Sequence, residues 1–290
     1  MKIGMIRKAL SGFYYVLTDE REYLECKAKG VFRKEGKTPL VGDRVSVEND
    51  VITEIFPRKN EILRPPAANL DFAVMVVSAV QPQPNTLILD KLIAVCEKKE
   101  IEPILVFTKG DLGDSTALQE LYRNAGFQVF SSIPGQTDYA PLLEKLAGKI
   151  SIFIGNSGVG KSTLMNALIP DLSLQTAEIS DKLGRGRHTT RHVELYELPN
   201  GGLVADSPGF STVEIEKYGR IRKEELAGCF REFDEYADQC QFPDCSHRVE
   251  KGCAVLKAIS EGKIASSRHE SYCAMYEDAQ QIKEWEEKRR

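Results

Sequence analysis

The 290-residue sequence is 42% hydrophobic and 28% charged, with a net charge of −4, which is typical of a soluble globular protein with room for two or three domains. It contains no apolar run near the roughly 20 residues that span a bilayer, and its first residues lack the apolar core of a signal peptide. We therefore expect a cytoplasmic protein without a membrane partner, in which local basic patches would have to bind any nucleic acid.

Residues 1 to about 65 are predicted to form a small all-β unit, because short β-type runs alternate with Gly, Asp and Asn turn residues. The predicted strands cover residues 12–19, 21–32, 41–49 and 50–58. This unit contains 13 Lys and Arg against 10 Asp and Glu, whereas the remainder contains 26 against 33. The length and the local positive charge fit a five-stranded barrel of the OB type, which binds RNA on one open face.

The aromatic and basic residues of this unit have two possible roles. The rings either stack on bases or fill the barrel interior; they belong to Phe13, Tyr14, Tyr15, Tyr23 and Phe32. A predicted loop cluster of Arg33, Lys34 and Lys37 either follows RNA phosphates or is simply solvated.

Residues 64–70, rich in proline and alanine, are predicted to be a linker into an α/β segment. Predicted strands at 71–80, 102–108, 127–133 and 149–154 alternate with predicted helices at 85–100, 116–126, 139–148 and after 163. Unbroken apolar strands that alternate with helices favour a parallel sheet covered on both faces. Such sheets bind ligands at the carboxyl ends of their strands.

A phosphate-binding loop is indicated by GNSGVGKST at 155–163, which matches G-x-x-x-x-G-K-[ST] between a predicted strand and a predicted helix. The glycines let backbone N–H groups wrap phosphates, Lys161 reaches the terminal phosphates as a catalytic residue, and Ser162 ligates magnesium. A plain strand-to-helix turn is the alternative. The predicted nucleotide contacts are Gly155, Asn156, Ser157, Gly158, Val159, Gly160, Lys161, Ser162 and Thr163.

Two later segments are predicted to respond to the third phosphate. DSPGF at 206–210 follows an apolar strand, so Asp206 is placed to hold magnesium through water and Gly209 to meet a terminal phosphate. Taken alone, that motif indicates only a turn. In the basic segment 182–192, either Thr189 or Thr190 is predicted to ligate magnesium when the third phosphate is bound.

TKGD at 108–111 is typical of a guanine-reading loop. The carboxylate of Asp111 can accept both N–H donors of guanine while Lys109 lies across the base. Because adenine lacks this donor pair, the geometry can reject adenine by about 10⁴-fold. The next predicted strand ends in two serines whose backbone N–H groups would face the guanine oxygen. The predicted base contacts are Thr108, Lys109, Gly110, Asp111, Ser131 and Ser132.

The base-reading motif precedes the phosphate loop, which reverses the usual order of these motifs. A nucleotide site depends on which strand ends are neighbours in space, so a circular permutation preserves it. The order along this chain places the new ends of the permuted domain near residues 66 and 213.

The spacing C-x₄-C-x-H-x₅-C near the C-terminus predicts a structural zinc site with four protein ligands and no open position. The predicted ligands are Cys240, Cys245, His247 and Cys253. The remaining cysteines, Cys26, Cys96, Cys229 and Cys273, are predicted to be small buried apolar residues.

With these motifs in this order, the chain resembles the ribosome small-subunit-dependent GTPase family. The members of this family are circularly permuted GTPases of ribosome biogenesis. The resemblance covers nearly all residues and includes GRHTTR at 186–191. It implies an OB domain at 1–65, a permuted GTPase domain at 66–213 and a zinc-binding helical domain at 214–290. One departure from the general GTPase pattern is Thr108 where Asn is usual, from which we expect some loss of affinity with guanine preference retained.

The resemblance also implies a function and partners. The implied ligands are GTP and GDP with Mg²⁺ and one structural Zn²⁺, and the implied partner is the small (30S) ribosomal subunit with its rRNA. The expected activity is hydrolysis of GTP to GDP and phosphate in late subunit maturation, stimulated by the subunit and coupled to release. We expect a monomer.

Phe210 stands where many GTPases have the glutamine that positions the attacking water. Since an apolar side chain cannot orient water, basal hydrolysis should be slow. We hypothesise that His188 supplies a polar group when the subunit is bound; a contact of His188 with RNA phosphate or solvent is the alternative.

Two other functions are compatible with parts of the sequence. An ATP-dependent kinase would use the same phosphate loop but gives no reason for TKGD. A scaffold that binds RNA and uses nucleotide only for stability would not turn GTP over.

Overall fold

The computed structural model describes residues 1–63, 65–170, 172, 193–206 and 220–281, and for Asp206 it describes the backbone alone. These residues form a barrel, an α/β sheet with helices on both faces, and a helical C-terminal unit. None of the helices within these ranges combines the length and apolar character needed to cross a membrane.

The N-terminal unit is a closed five-stranded barrel. Its strands are β1 (Lys2–Leu10), β2 (Phe13–Thr18), β3 (Tyr23–Ala28), β4 (Arg44–Glu48) and β5 (Val51–Ile55), with a short helix α1 (Gly30–Lys34) after β3. The pairing order is β1-β2-β3-β5-β4, and β4 closes back on β1. All pairs are antiparallel except β3 with β5. This arrangement confirms the predicted barrel of the OB type.

The barrel differs from the sequence prediction in three details. Strand β1 was not predicted, because only Gly4 and Ile6 of its nine residues are buried and the apolar alternation is weak. Residues 30–32 lie in α1 rather than in a strand, since Phe32 reaches the barrel core from a helical turn. Arg33 and Lys34 lie in the last turn of α1 and not in a loop.

The aromatic side chains of the barrel divide between the two predicted roles. Phe32 is buried in the core, whereas Tyr15 and Tyr23 stack on each other outside, with ring centroids 6.1 Å apart. Tyr23 is exposed over about half its surface.

A short hairpin follows the barrel, formed by β6 (Glu61–Leu63) and β7 (Pro66–Ala68). The linker prediction was therefore wrong for Pro66–Ala68. The small side chains of Ala67 and Ala68 are buried, and Ala68 donates a backbone hydrogen bond to Val41. Close packing of this kind needs small residues, which in sequence resemble a linker.

The α/β unit contains strands β8 (Phe72–Ser78), β9 (Glu102–Thr108), β10 (Gln128–Ser132), β11 (Ile150–Ile154), β12 (Val193–Glu197) and β13 (Leu203–Asp206). Their order in the sheet is β10-β9-β8-β11-β13-β12, and all neighbours are parallel except β12 with β13. The helices are α2 (Thr86–Lys98), α3 (Thr116–Asn124), α4 (Ala140–Leu146) and α5 (Lys161–Leu168). The predicted parallel sheet and its helices are confirmed.

Side chains alternate between the two faces of this sheet. On one face, Met75 and Val77 of β8 pack with Leu89 and Ile93 of α2. On the other face, Val74 and Val76 pack against α4 and α5. Both faces are thus covered, which explains the continuous apolar runs in the sequence.

Strand β12, which was not predicted, joins the sheet to the barrel. It pairs antiparallel with β1 through Lys8↔Glu194 and Ala9↔Val193, so one continuous sheet passes through both units. Two ion pairs flank this joint, Lys8 with Glu194 at 2.8 Å and Arg7 with Glu197 at 3.1 Å.

The C-terminal unit is helical, as predicted. It contains α6 (Lys223–Leu226), a 3₁₀ turn (Ala227–Cys229), α7 (Arg231–Ala237), α8 (Ala254–Ser260) and α9 (Ser266–Gln280). Its aromatic core of Phe230, Phe233 and Tyr272 continues onto Ala94 and Val95 of α2. The unit is therefore packed directly on the α/β sheet's helical layer.

Candidate functional site

The predicted nucleotide-binding motifs lie at one edge of the sheet. Thr108 at the end of β9 pairs with Ser78 of β8 on one side and with Ser132 of β10 on the other. Phe153, next to the phosphate loop, pairs with Asp206 at the end of β13. Only β8 separates the strand before the base-reading motif from the strand before the phosphate loop. The permuted order along the chain thus gives neighbouring strand ends in space.

The phosphate loop needs glycine at two positions for different reasons. Gly160 has φ of 98°, a left-handed conformation that side chains disfavour, and it precedes the first residue of α5. A Cβ on Gly155 would lie 2.6 Å from the carbonyl oxygen of Val76, so only glycine fits against β8 there. The loop therefore wraps the N-terminus of α5, where backbone N–H groups favour anions.

Lys161 begins α5 and is 8% exposed. Its Nζ donates hydrogen bonds to the carbonyl oxygens of Gly155 at 2.6 Å and Asn156 at 3.2 Å. Ser162 is half-buried and Thr163 is exposed beside it. The ammonium group is thus held over the loop that is predicted to bind phosphates.

The base-reading motif contacts the phosphate loop directly. The Oγ1 of Thr108 donates to the carbonyl oxygen of Val159 at 2.5 Å, and the Nζ of Lys109 donates to that of Gly158 at 2.7 Å. Threonine at position 108 therefore bridges the two loops through its hydroxyl group. These two bonds bring together motifs that are about 50 residues apart in sequence.

The two predicted base loops approach each other beyond β9 and β10. We call residues 108–114 the first base loop and residues 131–137 the second base loop. Asp111 is exposed at the tip of the first. A Cβ on Gly110 would lie 3.2 Å from Cδ1 of Ile133 in the second, so the loops touch at a glycine. Ser131 is exposed and Ser132 is buried at the end of β10.

Four predicted site residues, His188, Thr189, Thr190 and Gly209, lie outside the described residues. The backbone of Asp206 ends β13 beside β11, at the same edge as the phosphate loop. The residues that are described fit the phosphates of a nucleotide, because a glycine cradle, a helix N-terminus and a buried lysine converge there.

Sequence reasoning missed two side chains that hold the second base loop. Gln119 of α3 accepts a hydrogen bond from Ser131, and the hydroxyl of Tyr139 lies 2.9 Å from that of Ser132. No motif contains either residue. The spacing of Gln119, four residues after Ser115 at the start of α3, is the only local signal, and it is common in helices.

The four predicted zinc ligands converge, and their ligand atoms all lie within 4.8 Å of one another. Sγ of Cys240 lies 3.8 Å from Sγ of Cys253 and 3.5 Å from Nδ1 of His247, and the distance from Cys253 to His247 is 3.6 Å. A tetrahedral zinc with bonds of about 2.3 Å to sulfur and about 2.1 Å to nitrogen requires separations of roughly 3.8 and 3.6 Å. The donor set and its spacing therefore fit zinc.

Polar contacts outside the ligands hold the metal loop. His269 of α9 donates from Nε2 to the carbonyl oxygen of His247 at 2.7 Å, and Tyr272 donates to that of Ser246 at 2.8 Å. The carboxylate of Glu250 accepts from the backbone N–H groups of Ser246, Arg248 and Val249. Burial raises the pKa of Glu250, but hydrogen bonds from the Ser246 hydroxyl and from backbone N–H groups, including those of Val249 and Ser246, outweigh burial and hold its pKa at about 2.

The cysteines outside this cluster differ among themselves. Cys26, Cys96 and Cys229 are buried, as predicted, and burial raises the pKa of each thiol. Cys273 differs from the prediction, since it is only half-buried; its Sγ lies 3.6 Å from Nε2 of His269.

Removing the metal should unfold the loop at 240–253 and the start of α8, because ligation energy is folding energy in small zinc modules. We expect Cys245→Ser to lose bound zinc and to lower the helical signal in far-ultraviolet circular dichroism. Cys273→Ser is the matched control, since it removes a nearby half-buried thiol that is not in the cluster. Retention of one zinc per chain by Cys245→Ser, measured by elemental analysis, would contradict the assignment.

Comparisons with known proteins cover nearly the whole chain. Residues 55–216 match the family model described as RsgA GTPase, and residues 3–54 match the RsgA N-terminal domain. A protein of Geobacillus sp. (strain WCH70) named small ribosomal subunit biogenesis GTPase RsgA is 46% identical, with 98% of this chain and 99% of that protein covered. The protein of the same name from Bacillus subtilis (strain 168) is 44% identical over 94% of this chain and 95% of its own length.

Two solved structures share the fold. The crystal structure of YjeQ from Thermotoga maritima gives a TM-score of 0.80 at 33% identity, covering 97% of this chain and 99% of that one. The structure of YloQ, described as a circularly permuted GTPase, gives 0.78 at 38% identity, covering 98% and 96%.

Proposed function

The chain belongs to the RsgA GTPase family, and from this premise we propose that it hydrolyses GTP in the late maturation of the small ribosomal subunit. In this proposal the subunit stimulates hydrolysis, and hydrolysis is coupled to release of the protein from the subunit.

The observation that supports a guanine nucleotide site most strongly is the contact between the base-reading and phosphate loops. Thr108 and Lys109 each donate a hydrogen bond to the phosphate loop, although the two motifs appear in reversed order along the chain. A site for phosphate alone gives no reason for this contact. A site that holds base and phosphates of one nucleotide requires the two loops to be neighbours.

The proposed roles at the phosphate end follow from charge. Lys161 would neutralise charge that develops on the transferred phosphoryl group, which is electrostatic stabilisation of the kind that dominates phosphoryl transfer. Ser162, Asp206 and Thr189 or Thr190 would hold Mg²⁺, which supplies further positive charge at the phosphates when bound. Gly209 would meet the terminal phosphate through its backbone N–H.

We propose that His188 positions the attacking water, because the apolar side chain of Phe210 cannot orient water. If His188→Ala is stimulated by the subunit as strongly as the parent protein, this role is excluded.

We also propose that the barrel and the zinc-binding unit contact rRNA, that the protein acts as a cytoplasmic monomer, and that its domains meet near residues 65 and 213. The positive charge of the barrel region and the exposed ring of Tyr23, stacked on the half-buried ring of Tyr15, support the RNA contact.

Asp111→Asn should lower the affinity for GDP by about 10²-fold, because one of two charge-assisted hydrogen bonds is lost and the other is weakened. Affinity for xanthosine diphosphate should rise, since the asparagine N–H group can donate to the oxygen that xanthine carries in place of the guanine amino group. Fluorescence titrations with GDP, xanthosine diphosphate and ADP measure both changes.

Asp114→Asn is the matched control. The Asp114 carboxylate accepts from the backbone and hydroxyl groups of Thr116 at the start of α3, and asparagine can keep this role. An Asp111→Asn protein that still preferred GDP to ADP as the parent does would contradict guanine reading by Asp111.

The activity itself is tested by turnover of GTP and ATP with and without purified small ribosomal subunits. We expect GTP to be the substrate that is hydrolysed faster, and subunits to raise its rate. Equal turnover of ATP would favour the kinase-like alternative, and no turnover in either condition would favour a scaffold.

A further inference from the structure

We propose that Gln119 is a positioning residue for guanine recognition, because it fixes the second base loop to the start of α3, directly after the first base loop. The inference rests on the proposed function, since it presupposes that guanine lies between these loops. Gln119 would act through the backbone of residues 131 and 132, and it need not touch the nucleotide.

The side chain of Gln119 connects the second base loop to the start of α3, which directly follows the first base loop. Its Oε1 accepts a hydrogen bond from the hydroxyl of Ser131 at 3.1 Å, and its Nε2 donates to the hydroxyl of Ser115 at 2.9 Å. Ser115 directly follows the first base loop and precedes α3, whereas Ser131 begins the second base loop. A single amide group thus joins the second base loop to the N-terminus of α3.

The direction of these hydrogen bonds is set by a third partner. Nη2 of Arg123 lies 3.0 Å from the same oxygen of Gln119. Because arginine can only donate, the atom facing it must be the amide oxygen. The NH₂ group therefore faces Ser115, and the Ser131 hydroxyl must donate. The network has one consistent orientation.

The second base loop is fixed from its other side as well. The hydroxyls of Ser132 and Tyr139 are 2.9 Å apart, and Thr137 Oγ1 accepts from the backbone N–H of Ile133 at 2.7 Å. Gln119 completes this support on the exposed face of β10, where Ser131 points away from Ser132. Without Gln119, the side-chain hydrogen bonds of Ser132 and Thr137 would support the loop on one face only.

The consequence for specificity concerns the oxygen at position 6 of the purine. Backbone N–H groups at the end of β10 would donate to this oxygen in guanine and would meet the amino group of adenine unfavourably. The strength of such bonds falls steeply with misalignment. A bond at an exposed site adds little to folding stability, so the main effect of Gln119 should be on base recognition.

The test uses the full-length chain and compares GDP with 2-aminopurine riboside diphosphate, which keeps the 2-amino group but lacks the 6-oxygen and the N1–H donor. The affinity of each variant for this nucleotide is therefore compared with the parent protein's affinity for the same nucleotide. We expect Gln119→Met to weaken GDP binding by about 10-fold, near the value of one hydrogen bond. Binding of the 2-aminopurine nucleotide should change less than about 2-fold. Gln119→Glu should retain most of the parent affinity for GDP, because its carboxylate still accepts from Ser131 and Arg123 while the Ser115 hydroxyl donates.

Two further variants make the result specific. Gln128→Met is the control, as Gln128 is an exposed glutamine at the opposite end of β10. Ser131→Ala combined with Gln119→Met should weaken GDP binding no more than Gln119→Met alone, since both remove the same bond. The thermal unfolding temperature of each variant reports whether the fold is kept.

Equal weakening of both nucleotides by Gln119→Met would overturn the proposal, as would additive losses or unchanged GDP affinity. These outcomes are separable from failure of the proposed function. If Asp111→Asn also left GDP binding unchanged, the guanine site itself would be absent. If Asp111→Asn weakened GDP binding and Gln119→Met did not, only the role of Gln119 would fall.

Discussion

Replacing Lys161 with alanine should lower kcat/KM for GTP by about 10²–10³-fold, the loss typical of removing one preorganised group that stabilises transition-state charge. The side chain is 8% exposed, and its ammonium group is held over the phosphate loop by the carbonyl oxygens of Gly155 and Asn156. A charge held in this way needs little reorganisation when a phosphate is bound. Steady-state hydrolysis with and without small subunits measures the loss.

Lys149→Ala is the matched control for this substitution. Lys149 is an exposed lysine that precedes β11, at the opposite end of the strand from the phosphate loop. Its removal should leave hydrolysis within about 2-fold of the parent. If Lys161→Ala hydrolysed GTP as fast as Lys149→Ala, the phosphate loop would not be the site of the chemistry.

Arg268→Ala should lower the free energy of unfolding by about 3–5 kcal/mol, because it leaves two buried carboxylates without their partner. Arg268 is 1% exposed on α9. Its guanidinium binds Glu232 of α7 with two hydrogen bonds, of 2.6 and 3.1 Å, and Asp90 of α2 with one of 2.6 Å. Tyr122 also donates to this Asp90 oxygen, at 2.8 Å.

Three aromatic rings surround the same guanidinium, with the ring of Phe230 centred 4.6 Å away. The other oxygen of Asp90, Oδ2, has no hydrogen-bond partner among the described residues. Truncation at position 268 would therefore leave a site in which Asp90 and Glu232 are both poorly compensated. Urea unfolding of the zinc-loaded protein measures the change.

Lys91→Ala provides the comparison for this prediction. Lys91 pairs with Asp278 at 2.7 Å and links the same two helices, α2 and α9, but at an exposed position. We expect a loss under about 1 kcal/mol there. Equal destabilisation by Arg268→Ala and Lys91→Ala would show that the buried network does not hold the C-terminal unit on α2.

The nucleotide and zinc motifs could be predicted from the sequence because their chemistry requires particular residue types at short spacing. The parallel-sheet rule then placed the base-reading motif and phosphate loop at the same edge, and the order of β9, β8 and β11 confirms that placement. Continuous apolar strands made this rule applicable, since they indicated a sheet buried on both faces.

Strands β1 and β12 could not be predicted in the same way. β1 buries only Gly4 and Ile6, and β12 is five residues long. β1 pairs with β2 and β4 in the barrel, and β12 pairs with β13. The pairing of β1 with β12 joins segments about 185 residues apart in sequence, and a local pattern does not specify such a partner. The hairpin strand β7 was not predicted either, because the small residues Ala67 and Ala68, which allow close packing, resemble a linker in sequence.

Arg268 and Gln119 illustrate a second limit. Both lie on helices where a polar residue normally faces solvent, so their sequence neighbours give no sign of a special role. What distinguishes Arg268 is burial against Asp90 and Glu232, and what distinguishes Gln119 is the proximity of Ser131. Both features arise only when distant elements pack together.

The joint between β12 and β1 has a mechanical consequence. A shift of one residue in this pairing would turn Val193 and Leu195 away from the core, so the register resists sliding. The barrel and β12 are therefore expected to move together as one rigid unit. A ligand bound to the barrel is thereby coupled to β12 without a hinge at this joint. β12 in turn pairs with β13, which ends at Asp206.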